Sequence, residues 1–334
     1  MIGQVGKRVT AADVARSLGI SRATVGFVLN NTPGQTISER TRQRVLAEAE
    51  RLGYRPHRAA QDLRRGSSKV ILMVIPDWRM EYRLRWHLEE AALAVDEAGY
   101  SLAIYARQIA GRARPLWELL APDVVLGLWP FDDEEVASMR ACGVTRIHPD
   151  PEHPGSLDDA SIITAGPALQ VDHLHGLGHR RLAFAASADP RTSPLQEARV
   201  RAAERAAAQL GLDPLDVRTV DYLGDSATDA VRRWHAADVT GVVAYNDEVA
   251  ATVVGAAIRA GLAVPGDLAV IGHDDTPLAA MFLPSISSVD FDAVSVGRHF
   301  AALALHTIDG RPLPSEDFEG NARVVAREST VGGR

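Results

Sequence analysis

The chain of 334 residues is 46% hydrophobic and 24% charged, with a net charge of −7. That composition excludes a disordered chain, and the length suits about two or three compact units. The longest apolar runs, such as VILMVIP from Val70, are strand-sized and fall short of the ~20 residues of a membrane span. A single cysteine, Cys142, excludes an internal disulfide framework and reads as a small buried or half-buried residue in a reducing compartment. The start, MIGQVGKRVT, carries no apolar secretory stretch, so a cytoplasmic location is expected.

The charge is unevenly divided. Residues 1–69 hold 13 Lys and Arg against 5 Asp and Glu, a balance of +8, and the rest of the chain carries −15. A basic head on an acidic body fits a nucleic-acid-binding segment joined to a regulatory domain. A solvated basic tail has the same charge, so the pattern within the segment must decide. Thr10 can cap a first helix, with Asp13 three positions on to return the bond. Val14, Ala15 and Leu18 then share one face, Gly19 permits the left-handed stop, and Ile20 plugs the turn. Ser21 caps a second helix, whose Val25, Val28 and Leu29 face the first and leave Arg22, Ala23, Gly26, Phe27 and Asn30 on the opposite side. Ser38 caps a third helix, stapled by Ile37, with Val45, Leu46, Ala49 and Leu52 inward and Gly53 at its end. Two short helices joined by a tight Gly turn satisfy the requirements of a helix-turn-helix.

The stretches VTAADVARSLGIS, ATVGFVLNN, TRQRVLAEAERLGYRP and AAQDLRRGSS occur in order with little insertion, and in them the chain resembles the LacI/GalR family of repressors. The resemblance implies a recognition helix from Ser21 to Asn30 in the major groove. Its DNA-facing set is Thr10, Ser21, Arg22, Ala23, Thr24, Phe27 and Asn30, followed by Arg58, Ala60, Leu63 and Arg64 of a hinge. Arg22 can bond a guanine bidentately, the alternative being a backbone contact. Ala23 and Phe27 offer apolar contact to thymine methyls, and Thr24 and Asn30 suit phosphates. Gly26 stands where the family usually has Ser, which removes a phosphate ligand, and Phe27 stands where polar residues are frequent. The hinge PHRAAQDLRR is too short to be a stable helix alone. By resemblance it folds on DNA and drives Leu63 into the minor groove as a wedge, unless Leu63 packs on the head instead.

From Lys69 the pattern changes to apolar strands (70–76, 100–106, 124–129, 181–186, 241–245 and 268–273) separated by Ala-rich amphipathic helices such as HLEEAALAVDEAG. That alternation implies parallel sheets covered on both faces. The resemblance continues through HLHGLGHRRLAF, the stretch from Gly241 to Asp275, and ARVVAREST. The expected architecture is an all-α helix-turn-helix head over 1–55, a hinge helix and linker over 56–68, and an α/β two-lobed periplasmic-binding-protein-like body of doubly wound parallel sheets over 69–334. The N-lobe is expected at about 69–164 plus 292–321 and the C-lobe at about 165–291 plus 322–334. Ligands in open α/β sheets bind beyond the carboxyl ends of the strands, which nominates Arg199, Tyr222, Asn246, Asp247 and Asp274 in the second lobe. Turn and cap chemistry competes for Asp274, and more strongly for Asp275. In the first lobe Trp78, Arg79 and Trp129 are candidates, with His148 behind them. There the sequence departs from the family pattern, and an acidic or aromatic ligand suits Arg79 and the tryptophans better than an ordinary sugar.

His173, His175 and His179 mimic a metal cluster, but a helix and its closing turn explain them, and no acidic or cysteine partner sits at ligand spacing. No phosphate loop, nucleophile elbow or paired-cysteine site is present, so no cofactor, metal or enzymatic role is expected. The reading is a homodimeric, sequence-specific DNA-binding transcription repressor acting on a near-palindromic operator in double-stranded DNA under a small-molecule effector. The alternative is a DNA-binding regulator whose body dimerises without a small ligand.

Overall fold

The computed structural model of the chain describes residues 9–30, 32, 34–54, 67–77, 82–107, 113–153, 161–313 and 322–331. They fall into two compact units, within Met1–Lys69 and within Val70–Arg334. Arg58, Ala60, Leu63 and Arg64 of the expected hinge, and Trp78 and Arg79 of the body, lie outside the described residues.

The described residues of the head form three helices, α1 (Ala11–Leu18), α2 (Arg22–Leu29) and α3 (Glu39–Arg51). A capping box opens α1: Thr10 Oγ1 accepts from the Asp13 N–H while the Asp13 carboxylate accepts from the Thr10 N–H. Gly19 ends α1 at φ 67°, in the left-handed region. Ser21 and Ser38 cap α2 and α3 by accepting from the Thr24 and Thr41 N–H groups. Val14, Ala15, Val25, Val28, Val45 and Ala49 close a small core. Leu46, expected inside, is 49% exposed. Val45, Ala49 and Leu52 are spaced to share one face of α3, and Leu46 lies about 100° around the helix from Val45.

The body begins with β1 (Val70–Ile75), α4 (Tyr82–Glu97), β2 (Ser101–Ala106), α5 (Leu116–Leu120), β3 (Val124–Gly127), α6 (Asp133–Ala141) and β4 (Ile147–His148). The second lobe runs through α7 (Ser161–Gly176), β5 (Leu182–Ser187), α8 (Ser193–Gln209), β6 (Asp216–Val220), α9 (Ser226–Ala236), β7 (Gly241–Ala244), α10 (Asp247–Arg259), β8 (Ala269–Ile271) and α11 (Pro277–Met281). The chain ends with β9 (Ser288–Phe291), α12 (Ala293–Asp309), β10 (Ala322–Val325) and α13 (Glu328–Val331).

Each lobe is built on a four-stranded parallel sheet, ordered β2-β1-β3-β4 in one and β6-β5-β7-β8 in the other, so both are doubly wound in the same sense. Strand β1 shows why its run is continuously apolar. Ile71, Met73 and Ile75 face a core shared with Leu88 of α4 and Leu305 of α12, while Leu72 and Val74 face Trp117 and Met139 of α5 and α6. Strands β9 and β10 pair antiparallel, and β9 leads directly into α12, which packs on α4 of the first lobe.

The apolar runs coincide with β1, β2, β3, β5, β7 and β8, whereas β4, β6, β9 and β10 answer to no expected strand. β4 is only 2 residues long, and β6 (DVRTV) is largely polar, with alternating exposed positions. Cys142, expected to be buried or half-buried, is exposed at the end of α6. His173 Nε2 and His179 Nδ1 meet the hydroxyls of Thr330 and Thr240.

Helices α4 and α12 approach through Gly297, where a Cβ would lie 2.4 Å from Glu90 Cβ and 2.8 Å from the Ala91 nitrogen. Gly297→Ala is therefore expected to destabilise the body by about 1–3 kcal/mol. Gly26 in α2 has open space where a Cβ would stand, so Gly26→Ala is expected to stabilise the head by about 1 kcal/mol. Urea denaturation followed by circular dichroism reads both signs.

Candidate functional site

On the head, the face of α2 turned from the core carries Arg22 and Ala23, both exposed, with Gly26, Phe27 and Asn30 half-buried beside them. Thr10 and Ser21 are occupied as helix caps, and Thr24 Oγ1 lies 2.9 Å from Ser21 Oγ. The Ser21 cap thus takes the Thr24 N–H, and the first turn of the helix presents Arg22 and Ala23 outward.

In the body, a cavity of about 180 Å³ opens between the lobes. Its second-lobe wall is made where strands end. Asp189 follows β5, Tyr222 follows β6, Tyr245 follows β7 and Asp274 follows β8, with Arg199 reaching in from α8. The first lobe supplies Trp129, which follows β3, and three side chains from helices: Arg83 and His87 of α4 and Phe300 of α12. The ends of β3, β5 and β7 flank the points where the winding of each sheet reverses, and those of β6 and β8 lie beside them at the same carboxyl edge, where open α/β sheets bind ligands.

The polar groups of the wall form one coupled set. Arg199 donates to the Tyr245 carbonyl at 2.7 Å and lies 5.0 Å over the Tyr245 ring. Its other nitrogen is 3.5 Å from Asp274 Oδ1, which is also 2.7 Å from His273 Nδ1. Burial pushes the Asp274 carboxyl up, but His273, Arg199 and Arg83 outweigh it and hold Asp274 below the usual carboxylate range. Asp274 sits at φ 96°, which an L-residue adopts at some cost in strain. Its N–H donates to the Val289 carbonyl at 2.9 Å, and this bond helps hold the turn. Arg83, almost fully buried on α4, pairs with Asp290 on β9.

Of the residues nominated from sequence, Trp129, Arg199, Tyr222 and Asp274 line this cavity. Asn246 and Asp247 do not. Asn246 is fully buried and caps α10 by accepting from the Val249 N–H at 2.9 Å. Asp247 accepts from the Thr276 N–H, the Thr276 hydroxyl and the Ser288 hydroxyl, and burial, then the charge of Asp274, pushes its carboxyl up to about 7. Both directly follow β7, but the close helix start turns them inward. Asp275 is taken by an ion pair with Arg327 at 2.6 Å, and His148 in β4 is not in the wall. Sequence reasoning missed Arg83, His87, His273 and Phe300. The helical residues among them lie within amphipathic patterns that carry no mark of a cleft, and His273 stands beside the nominated Asp274.

His87 gives this wall a pH signature. Burial, reinforced by Arg83, drives its imidazole down to about 4, and its Nε2 is buried without a hydrogen-bond partner. In the unfolded chain the same group titrates near ~6.5, so stability is full above that pH and is lost as pH falls toward the folded value. Relative to His87→Gln, the wild-type chain is expected to lose about 2 kcal/mol between pH 7 and pH 5 in urea titrations.

Among the described residues no helix is long and apolar enough to cross a membrane. The periplasmic binding protein-like domain profile matches residues 171–330, and the profile of bacterial regulatory proteins of the lacI family matches residues 10–57. The HTH-type transcriptional regulator MalR of Streptomyces coelicolor is 30% identical over 96% of this chain and 96% of its own. Catabolite control protein A of Priestia megaterium is 28% identical over 96% of this chain and 99% of its own. The lac repressor dimer bound to operator and the anti-inducer ONPF shares the fold, with a TM-score of 0.75 at 22% identity over 97% of this chain and 99% of that one. With both domain profiles matched in order and a regulator related along nearly its whole length, the chain belongs to the LacI/GalR family of DNA-binding transcription regulators.

Proposed function

We propose that this protein is a cytoplasmic repressor that binds a near-palindromic operator as a homodimer and releases or tightens its hold when a small molecule enters the cleft of the body. The observation that carries the reading is the coexistence, in one chain, of a capped helix with an exposed Arg22 and a polar-and-aromatic cavity between the lobes at the carboxyl ends of both sheets. In this reading Arg22 reads a guanine, Ala23 and Phe27 touch thymine methyls, and Thr24 and Asn30 hold phosphates. The hinge residues Arg58, Ala60, Leu63 and Arg64 kink the site, and the effector acts by changing the angle between the lobes and so the folding of the hinges.

A second copy of the chain is the partner suited to two apolar patches on the body. Tyr82, Trp86 and Leu93 share one face of α4, with Leu93 61% exposed, and Leu283 after α11 is 81% exposed beside Met281. Contiguous exposed apolar surface of this kind marks association sites in soluble proteins. Leu93→Glu combined with Leu283→Glu is expected to convert the dimer to monomer in analytical ultracentrifugation and to weaken operator binding, while head stability is unchanged. A monomeric wild-type chain at micromolar concentration contradicts the dimer.

The DNA-reading role is tested by selecting bound sites from random duplexes. Arg22→Ala is expected to relax preference at a single base position per half-site, a loss of about 1–3 kcal/mol in discrimination. Equal losses on selected and random DNA contradict base reading by Arg22.

A further inference from the structure

The cleft wall holds two buried arginines that share their carboxylate partners with other groups. Arg83 is 6% exposed, and its carboxylate partner Asp290 also accepts two hydrogen bonds from Arg323, at 3.0 and 3.2 Å. Arg199 is 9% exposed and meets Asp274 only at 3.5 Å, while the same Asp274 oxygen is 2.7 Å from His273 Nδ1. Asp290 thus serves two arginines, and Asp274 Oδ1 is shared between Arg199 and the His273 ring. The Nε atoms of Arg83 and Arg199 and Nε2 of His87 are buried without hydrogen-bond partners. Asp189 in the same wall is already engaged by two bonds from the Arg191 guanidinium, at 2.9 and 2.5 Å.

A neutral polyol needs acceptors and donors in comparable number, because every hydroxyl does both. In this wall the Nε donors of Arg83 and Arg199 stand without partners, while Asp189 and Asp274 Oδ1 are already engaged. The remainder is apolar, with Leu84, Leu128, Ile162, Phe291 and Val296 around the charged groups. A cavity of about 180 Å³ is on the scale of the ~150 Å³ apolar cavities that accept one benzene ring.

We infer that the effector is a small organic carboxylate with an apolar, ring-bearing body, and that Arg83 and Arg199 hold its carboxylate. The inference rests on the effector reading given above and narrows it to a chemical class. A ligand carboxylate offers the unpartnered guanidinium nitrogens charge-assisted bonds, and the apolar wall takes the ring. An amide of the same shape presents one acceptor oxygen and a donor that the arginines cannot use.

The test is titration calorimetry on the full-length chain with benzoate, phenylacetate and cinnamate, their three amides, glucose, maltose and glucose 6-phosphate. At least one acid is expected to bind about tenfold or more tightly than its own amide, and Arg83→Gln to bring that ratio near one. Circular dichroism reports whether Arg83→Gln is folded. If it is not, the wild-type ratio of acid to amide decides alone. Amides binding as tightly as acids, or a sugar or glucose 6-phosphate binding where the acids do not, overturns the carboxylate class and leaves the effector reading standing. Absence of heat from every compound at millimolar concentration overturns both.

Discussion

A buried ion pair between Arg83 on α4 and Asp290 on β9 organises the body. It joins the first lobe to the antiparallel ribbon through which the chain leaves the second, and it does so at the wall of the cleft. A guanidinium this deeply buried is tolerable only with a partner, because removing its counter-ion leaves an uncompensated charge. Arg83 therefore restrains the lobes and borders the ligand space at once. On the opposite wall Asp274 plays the corresponding part, drawing His273 and Arg199 toward one carboxylate. Anything that enters the cleft meets a charge network already joined to the crossing ribbon, which is a physical route from occupancy to lobe angle.

The head needs no such long-range device. Its geometry follows from local chemistry, in which Thr10, Ser21 and Ser38 start helices, Gly19 ends one, and six small aliphatic residues close the core. These signals are short-range and sequence-encoded, so the three helices and their boundaries are legible from residues alone. Leu46 was misplaced because apolarity was read without its helical angle. In the body, the strands buried on both faces announce themselves as apolar runs, while the polar, alternating β6 and the two-stranded ribbon do not.

The cleft was legible where strand ends supply it and illegible where helices do. Trp129, Tyr222 and Asp274 follow strands, and the rule that ligands bind beyond the carboxyl ends of strands finds them. The same rule overreaches at Asn246, which caps the first turn of α10, and at Asp247, whose carboxylate is taken by Thr276 and Ser288. Arg83 and His87 are hidden because a helix facing both a core and a cleft has one continuous pattern. Only the tertiary contact with β9 and α12 separates their roles.

The central claim is that the cleft of the body governs the grip of the head on DNA. Its most direct test is the affinity of the full-length chain for a duplex selected from random sequence, measured by fluorescence anisotropy with and without a compound shown by calorimetry to occupy the cleft. The account predicts a change of about tenfold or more in operator affinity, abolished when the cleft is disabled by Arg199→Gln. Identical affinities in the presence and absence of a saturating cleft ligand contradict it.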